Sequence, residues 1–352
     1  MIRPLTLRAA MGAAALAAAG AAPAQNVQLY GLIDMTAGRF QQAGTDAVWR
    51  ADSGGMTTSF LGFRGTDDLG GGLKAKFAFE HFLRADTGQA GRFGGDAFWA
   101  RDAYVGLSGA FGTTVLGRNT TPLFVSTVLF NAFGDSYAFS PAVRQLFTPA
   151  MQAGSPMVPF LGDSGWNNSI HYASGDDDDD GFSWNLIANL GEGAPGGTGK
   201  NTGANLMYAN GPLAATVAWQ RVRNGDGISS GPPLAPAGFT KQDTWLVAGS
   251  YDLQVVKLFT HAAMVRMRAS ERRTTQLWGV GASVPFGPGK VLAQYGNARV
   301  RLDGVHPTNH TLSIGYDYSL SKRTDVYAVF VNDRTTGLEK GNTLAGGVRV
   351  RF

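Results

Sequence analysis

The last ten residues, 343–352 (TLAGGVRVRF), restrict the fold more than any other stretch of the chain. Strand side chains alternate with period two. Leu344, Gly346, Val348, Val350 and Phe352 therefore take one side, and Ala345, Gly347, Arg349 and Arg351 the other. One side suits hydrocarbon and the other suits water. A soluble sandwich could bury the first and expose the second, so alternation alone leaves both open. The aromatic final residue favours a transmembrane barrel whose last strand closes against its first.

The other end agrees. Residues 1–24 carry Arg3 and Arg8, then the apolar run MGAAALAAAGAA, then Ala22-Pro23-Ala24, a small-residue cleavage pattern. We read 1–24 as a signal peptide and 25–352 as one transmembrane β-barrel domain. The competing reading is an anchor helix, but the run is too short and Ala-rich to span a core of ~30 Å. After it no apolar stretch reaches ~18 residues, so membrane crossing is left to strands. A closed sheet is the strand structure that satisfies every backbone group in lipid. Cysteine is absent, which removes disulfides and thiol chemistry. Formal charge is +4, or +2 without Arg3 and Arg8, too small to argue for a nucleic-acid partner.

Between the ends, 49 glycines divide the chain into short segments, and many of these alternate. Leu29, Ile33 and Met35 oppose Tyr30 and Asp34; Leu73, Ala75, Phe77 and Phe79 oppose Lys74, Lys76, Ala78 and Glu80. The same holds for segments 182–190, 213–220 and 311–320. Short connectors, such as 67–70, 109–112, 251–253 and 320–324, alternate with long polar ones at 85–97, 224–241 and 298–310. That is the outer-membrane pattern. At roughly 20 residues per strand with its connection, the mature chain predicts an all-β, antiparallel barrel of about 16 strands, wide enough for an aqueous channel.

Several runs then occur in order: GFRGTDDLGGGL at 62–73, ARDAYVGLSGAFGTTVLGRNTTP at 100–122, NNSIHYASG at 167–175, LSKRTDVYA at 320–328 and the terminal VRVRF. Together they resemble the general porins of Gram-negative outer membranes, in particular the β-proteobacterial trimeric type. The resemblance implies a 16-stranded barrel, a homotrimer, and a third loop folded into the lumen. It also implies contact with outer-membrane lipid and lipopolysaccharide, and a C-terminal Phe352 read by the barrel-assembly machinery. Trimer contacts are expected from the first few strands and the last, with residues 84–98 reaching a neighbour.

About 50 residues lie between Arg118 and Asn167, far beyond the ~4–6 of an ordinary connection. Their Phe, Leu and Pro content argues for a packed loop, either a constriction inside the barrel or a cap over its mouth. By resemblance, wall bases face loop acids across such a pore, and a narrow passage focuses their field. Carried over residue by residue, this places Arg101 and Arg118 among the wall bases, Glu80 as a wall carboxylate with Lys76 beside it, and Asp135 on the loop. Arg64 and Phe60 complete the candidate constriction. Strand parity reads Arg101, Ala103 and Val105 inward and leaves Asp102 on the lipid side. Phe60 stands where the family commonly has Arg, and Gly165-Trp166 likewise lacks one, so the basic ladder is thinned and weak-to-moderate anion preference is expected. Arg349 and Arg351 are assigned to the exit.

Each assignment has a plainer counterpart. Arg101 and Arg118 could be wall residues away from the narrowest point, and Glu80 could only neutralise its basic neighbours. Residues 176–180 (DDDDD) lack the spacing of a calcium loop and read as a solvated turn. Ser169 and His171 share a face but stand about 6–7 Å apart, beyond hydrogen-bond reach, so no enzyme is expected. No cofactor or metal site is expected either. Tyr30, Trp184, Trp219, Trp245, Tyr251, Trp278, Tyr295, Tyr316 and Tyr318 supply interfacial girdles, some of them turning to the lumen instead. The expected function is passive diffusion of small hydrophilic solutes and ions. The alternatives are a surface or adhesion protein and a channel selective for small anions.

Overall fold

A computed structural model describes residues 27–148, 157, 160–175, 181–191, 200–223, 236–302 and 304–352. The expected signal peptide and the acidic run at 176–180 lie outside the described residues. Among those described, the first half of the chain forms strands β1 (Gln28–Phe40), β2 (Val48–Ser53), β3 (Phe60–Gly70), β4 (Leu73–Arg84), β5 (Gln89–Ala90), β6 (Ala103–Gly109), β7 (Gly112–Thr120), β8 (Gly165–Ala173) and β9 (Gly181–Asn189). Helices α1 (Pro122–Leu129) and α2 (Pro141–Phe147) lie between β7 and β8. The second half forms β10 (Thr202–Asn210), β11 (Leu213–Arg223), β12 (Lys241–Asp252), β13 (Lys257–Arg268) and β14 (Arg272–Phe286). It ends with β15 (Gly289–Arg301), β16 (Thr308–Ser319), β17 (Thr324–Thr335) and β18 (Gly341–Arg351).

Sixteen of these strands close an antiparallel barrel; β2 and β5 are short additions. Closure runs through β1. Its first half pairs with β3, from Gln28 opposite Arg64 to Leu32 opposite Phe60, and its second half with β2. Its other edge pairs with β18, from Leu32 opposite Arg351 to Arg39 opposite Leu344. Phe352 extends that ladder, exchanging two backbone hydrogen bonds of 3.1 Å with Gly31. The chain therefore begins and ends its sheet at one rim. That rim also carries the two-residue turns 110–111 and 287–288, while the longer connections crowd the other.

The two faces separate as alternation predicts. Leu29, Phe63, Phe79, Trp184, Leu206, Val247, Ile314, Phe330 and Val348 point out and stay exposed, which in lipid is the buried state. Their neighbours Asp34, Glu80, Asn205, Gln220, Thr244, Gln294, Ser313 and Asp325 point in. Segment 298–310, expected as a long loop, is mostly strand. Alternation persists through it, with Ala298 and Val300 packed inside and Arg299 and Arg301 exposed outside.

The inner wall is not uniformly polar. Ala218, Val222, Leu246, Val265, Met267, Leu277 and Val300 form an apolar patch on β11–β15, and the long third loop packs against it with Leu123, Val143, Leu146 and Phe147. Burial of this matched surface, at ~25 cal/mol per Å², explains why the loop folds in rather than capping the mouth. Polar ties then fix it: Asn205 Nδ2 donates to Ser126 Oγ (3.0 Å), Ser313 Oγ to the Phe139 carbonyl (2.6 Å), and Arg144 to Asp333 (3.0 Å). The two helices of the loop lie against β9–β12 and β14–β16.

Candidate functional site

The site grows from an empty position. Tyr30 on β1, Gly62 on β3 and Glu80 on β4 share one register row and face the lumen. A Cβ on Gly62 would stand 2.9 Å from the Tyr30 ring and 3.1 Å from Glu80 Cγ. Because glycine leaves that space, the Tyr30 hydroxyl reaches across β3 and donates to Glu80 Oε1. The other carboxylate oxygen accepts from Arg101 Nη1 at 2.6 Å. The Arg101 guanidinium lies 4.1 Å over the Phe60 ring, and that ring meets Tyr30 edge-on at 6.0 Å. Arg64 covers the Tyr30 ring at 4.7 Å and donates through Nε to Gln28 Oε1 (2.9 Å). Phe60, in the place of an expected base, thus carries one instead.

Across from this wall stands the tip of the third loop. Ser136 Oγ donates to the Gly55 carbonyl at 2.6 Å and holds the tip near residues 54–59, where the wall bulges inward between β2 and β3. That bulge is organised by fully buried Asp34, whose carboxylate accepts from the Met56 and Thr57 N–H groups at 2.8 Å each. Thr57 in turn hydrogen-bonds Asp135. Burial pushes the Asp135 carboxyl above its ordinary range, against that hydrogen bond and the charges of Arg101 and Arg349. Burial disfavours the Arg101 charge, but Glu80, Asp102 and Asp135 outweigh it and raise its pKa. Loop acid and wall base thus sense each other across the gap.

Several side chains stand elsewhere than the sequence suggests. Asp102 does not face lipid. Arg101 N–H donates to the Glu80 carbonyl and Glu80 N–H to the Asp102 carbonyl, so both residues bracket Glu80 ahead of β6, and parity counted from Arg101 fails. Val105 points outward instead, 60% exposed. Asp102 lies half-buried against Thr120, accepting from its N–H (2.7 Å) and hydroxyl (3.0 Å). Burial first and Glu80 second push it up to about 7.

Arg118 is turned into the wall rather than out to the gap. It donates to the carbonyls of Ala100 (2.6 Å) and Gly165 (3.2 Å) and pairs with Asp163 (3.1 Å), beside the Arg92–Asp163 pair (2.7 Å). Lys76 lies two rows from Glu80 toward the short-turn rim and lines a cavity of about 420 Å³ with Lys74, Thr66 and Thr113.

Arg349 reaches the site. It donates to Thr57 Oγ1 (2.9 Å), Asp325 (2.9 Å) and Asp317 (3.2 Å), while Arg351 stays at the rim on Asp325 (2.6 Å). Tyr30, counted with the girdle aromatics, belongs to the site, and its alternation against Leu29 already placed it inward. Thr57 and Asp34 carried no signal beyond polarity. Their roles come from the break between β2 and β3.

Residues 10–338 match the family model described as Gram-negative porin. Outer membrane porin protein 32 of Delftia acidovorans is 29% identical over 364 residues, covering 96% of this chain and 93% of that protein. Among solved structures, the anion-selective porin from Comamonas acidovorans superposes with a TM-score of 0.75 at 24% identity, covering 93% of this chain and 100% of that one. The trimer form of OmpT, an outer membrane protein of Vibrio cholerae, gives 0.68 at 15% identity over 94% and 100%.

Proposed function

The chain belongs to the Gram-negative porin family, and from that premise we propose that this outer-membrane channel passes small hydrophilic solutes with a modest preference for anions. The observation that carries the preference is Arg101, stacked on Phe60, facing Asp135 on the loop. Its charge is shared with Glu80, and Arg349 is shared with Asp317 and Asp325. Fixed charges in a narrow passage bias ion flow through their uncompensated part, and here that part is small. The anion selectivity in the Comamonas acidovorans porin's description supports the sign, and the shared charges support the weakness.

The working constriction in this reading is Phe60, Arg64, Glu80, Arg101, Asp135 and Arg349, with Lys76 in the vestibule below and Arg118 bracing the wall. A homotrimer built on β1, the first strands and β18 is part of the proposal, as are processing after residue 24 and recognition of Phe352 during insertion. No catalytic step is assigned to any residue. Purified protein in planar bilayers tests the whole. Conductance should rise in groups of three steps, and a KCl gradient should give a small reversal potential of the anion sign. A strongly anion-selective or a cation-selective reading would overturn the proposal.

A further inference from the structure

The wall of the constriction holds two guanidinium groups on aromatic rings, and that pairing can select for more than charge. Phe60 and Tyr30 face the lumen with part of each ring exposed, whereas Phe82, Phe133, Phe139 and Tyr327 elsewhere on the lumen side are buried. Arg101 lies over the Phe60 ring at 4.1 Å and Arg64 over the Tyr30 ring at 4.7 Å, and the two rings meet edge-on at 6.0 Å. The order along the wall is therefore guanidinium, ring, ring, guanidinium. Hydrogen bonding uses this set unevenly. Both carboxylate oxygens of Glu80 are engaged, one by the Tyr30 hydroxyl and one by Arg101 Nη1, and Asp135 across the gap is bonded to Thr57. Among the described residues, Arg101 Nε and Nη2 and both terminal nitrogens of Arg64 have no acceptor. Arg64 is exposed, and the Arg101 side chain is 34% exposed. Opposite them Gly134, beside Asp135 at the loop tip, has open space where a Cβ would stand.

The N–H groups left over are donors, and the acids beside them are already engaged, so the solute that completes this wall is an anion rather than a cation. A carboxylate suits a guanidinium edge, which can meet it with two parallel hydrogen bonds. Chloride or a small aliphatic acid would use those donors and leave the ring surface wet. An aryl group would cover it, because aromatic rings attract one another edge-on or offset, and a guanidinium also offers its flat face to a ring. A single planar ring is thin as well, which suits the gap between wall and loop tip. Phe60 carries no charge, and its ring is what a further base at this position would not offer. We infer that the constriction favours small aromatic carboxylates among anions, with Phe60 as the residue that discriminates them from aliphatic ones of equal charge. The inference rests on the anion-preferring channel reading and names a solute class for it.

Benzoate and cyclohexanecarboxylate test it, since they match in charge and ring size and differ in aromaticity. Bi-ionic reversal potentials against chloride in planar bilayers should give wild type a benzoate permeability about threefold above that of cyclohexanecarboxylate, the scale of one aromatic contact. Phe60→Leu should bring that ratio close to one, and Phe60→Tyr should keep it. A ratio of one in wild type would overturn the inference. So would an undiminished ratio in Phe60→Leu, which assigns the difference to ring thickness. If Phe60→Leu fails to assemble, Phe60→Met carries the same comparison. Saturation-transfer NMR of the purified protein in detergent reads the preference without conduction, as a stronger benzoate signal that Phe60→Leu loses. Protein that conducts chloride but passes both acids alike overturns this inference alone; protein that shows the Phe60-dependent benzoate signal but does not conduct overturns the channel reading alone.

Discussion

Arg101 shows how one side chain is aimed by its neighbours. The Phe60 ring under it contributes ~1 kcal/mol of cation–π attraction at a partly exposed site, and Glu80 fixes its direction. Arg101→Gln should move the reversal potential toward cations, by on the order of twofold in permeability ratio; an unchanged potential would remove Arg101 from the constriction. Phe60→Ala should leave the sign but make the current noisier, because the guanidinium loses its support. The acids supply a pH dependence. Asp102, near 7, is mostly ionised at pH 8.5 and takes up a proton as pH falls toward 5; burial raises Asp135 as well, so its protonation acts in the same direction. Negative charge is then lost while Arg101 and Arg349 keep theirs, so anion preference should rise on acidification. Reversal potentials at the two pH values check the sign, and a fall would contradict it.

At the scale of elements, the third loop does most to shape the pore, and its start signals are local. Thr121-Pro122 and Ser140-Pro141 each place a hydroxyl cap before a proline, and both hydroxyls accept from the N–H three residues on, as Phe124 and Val143 show. The loop's attachment is long-range. Asp333 on β17 gathers Arg144 (3.0 Å), the Ala43 N–H (3.1 Å) and Asn309 Nδ2 (2.8 Å), so one carboxylate ties the first and third loops to the wall. Asp333→Ala strands a mostly buried guanidinium and should cost about 3 kcal/mol. The barrel should lose its folded mobility on unheated gels at a lower temperature, and single-channel current should fluctuate more. Wild-type behaviour in both would mean that apolar packing alone anchors the loop.

For the whole molecule, the decisive contact is closure between the two ends of the sheet. A Cβ on Gly31 would meet the Phe60 carbonyl oxygen at 2.6 Å and the Phe352 ring at 2.7 Å, so glycine is what seats that ring. Gly31→Val should therefore reduce the yield of closed barrel in refolding, read as the heat-modifiable fraction. Phe352→Ala should lower insertion in cells more than refolding in detergent, if the ring is also read during assembly. Equal refolding of Gly31→Val and wild type would show that closure tolerates a displaced ring. An antiparallel ladder that joins β1 to β18 has no free edge, which is what allows it to stand in lipid.

The sequence by itself determined the strands, their faces and the closed sheet, because each outward residue meets lipid and each inward one meets water or the loop, and a period of two records that contrast. It also marked Glu80, Arg101 and Asp135 through the motifs around them. Only the tertiary structure decided where the remaining charges act. Parity carries along an uninterrupted strand and fails at a break, so Asp102 turned into the wall and Val105 outward. Arg349 joined the constriction because the 54–59 segment, bulging on Asp34, brings Thr57 to it from the other end of the chain. Arg118 was withdrawn by Asp163, forty-five residues away. Such pairings depend on how distant segments meet, and no local pattern encodes that.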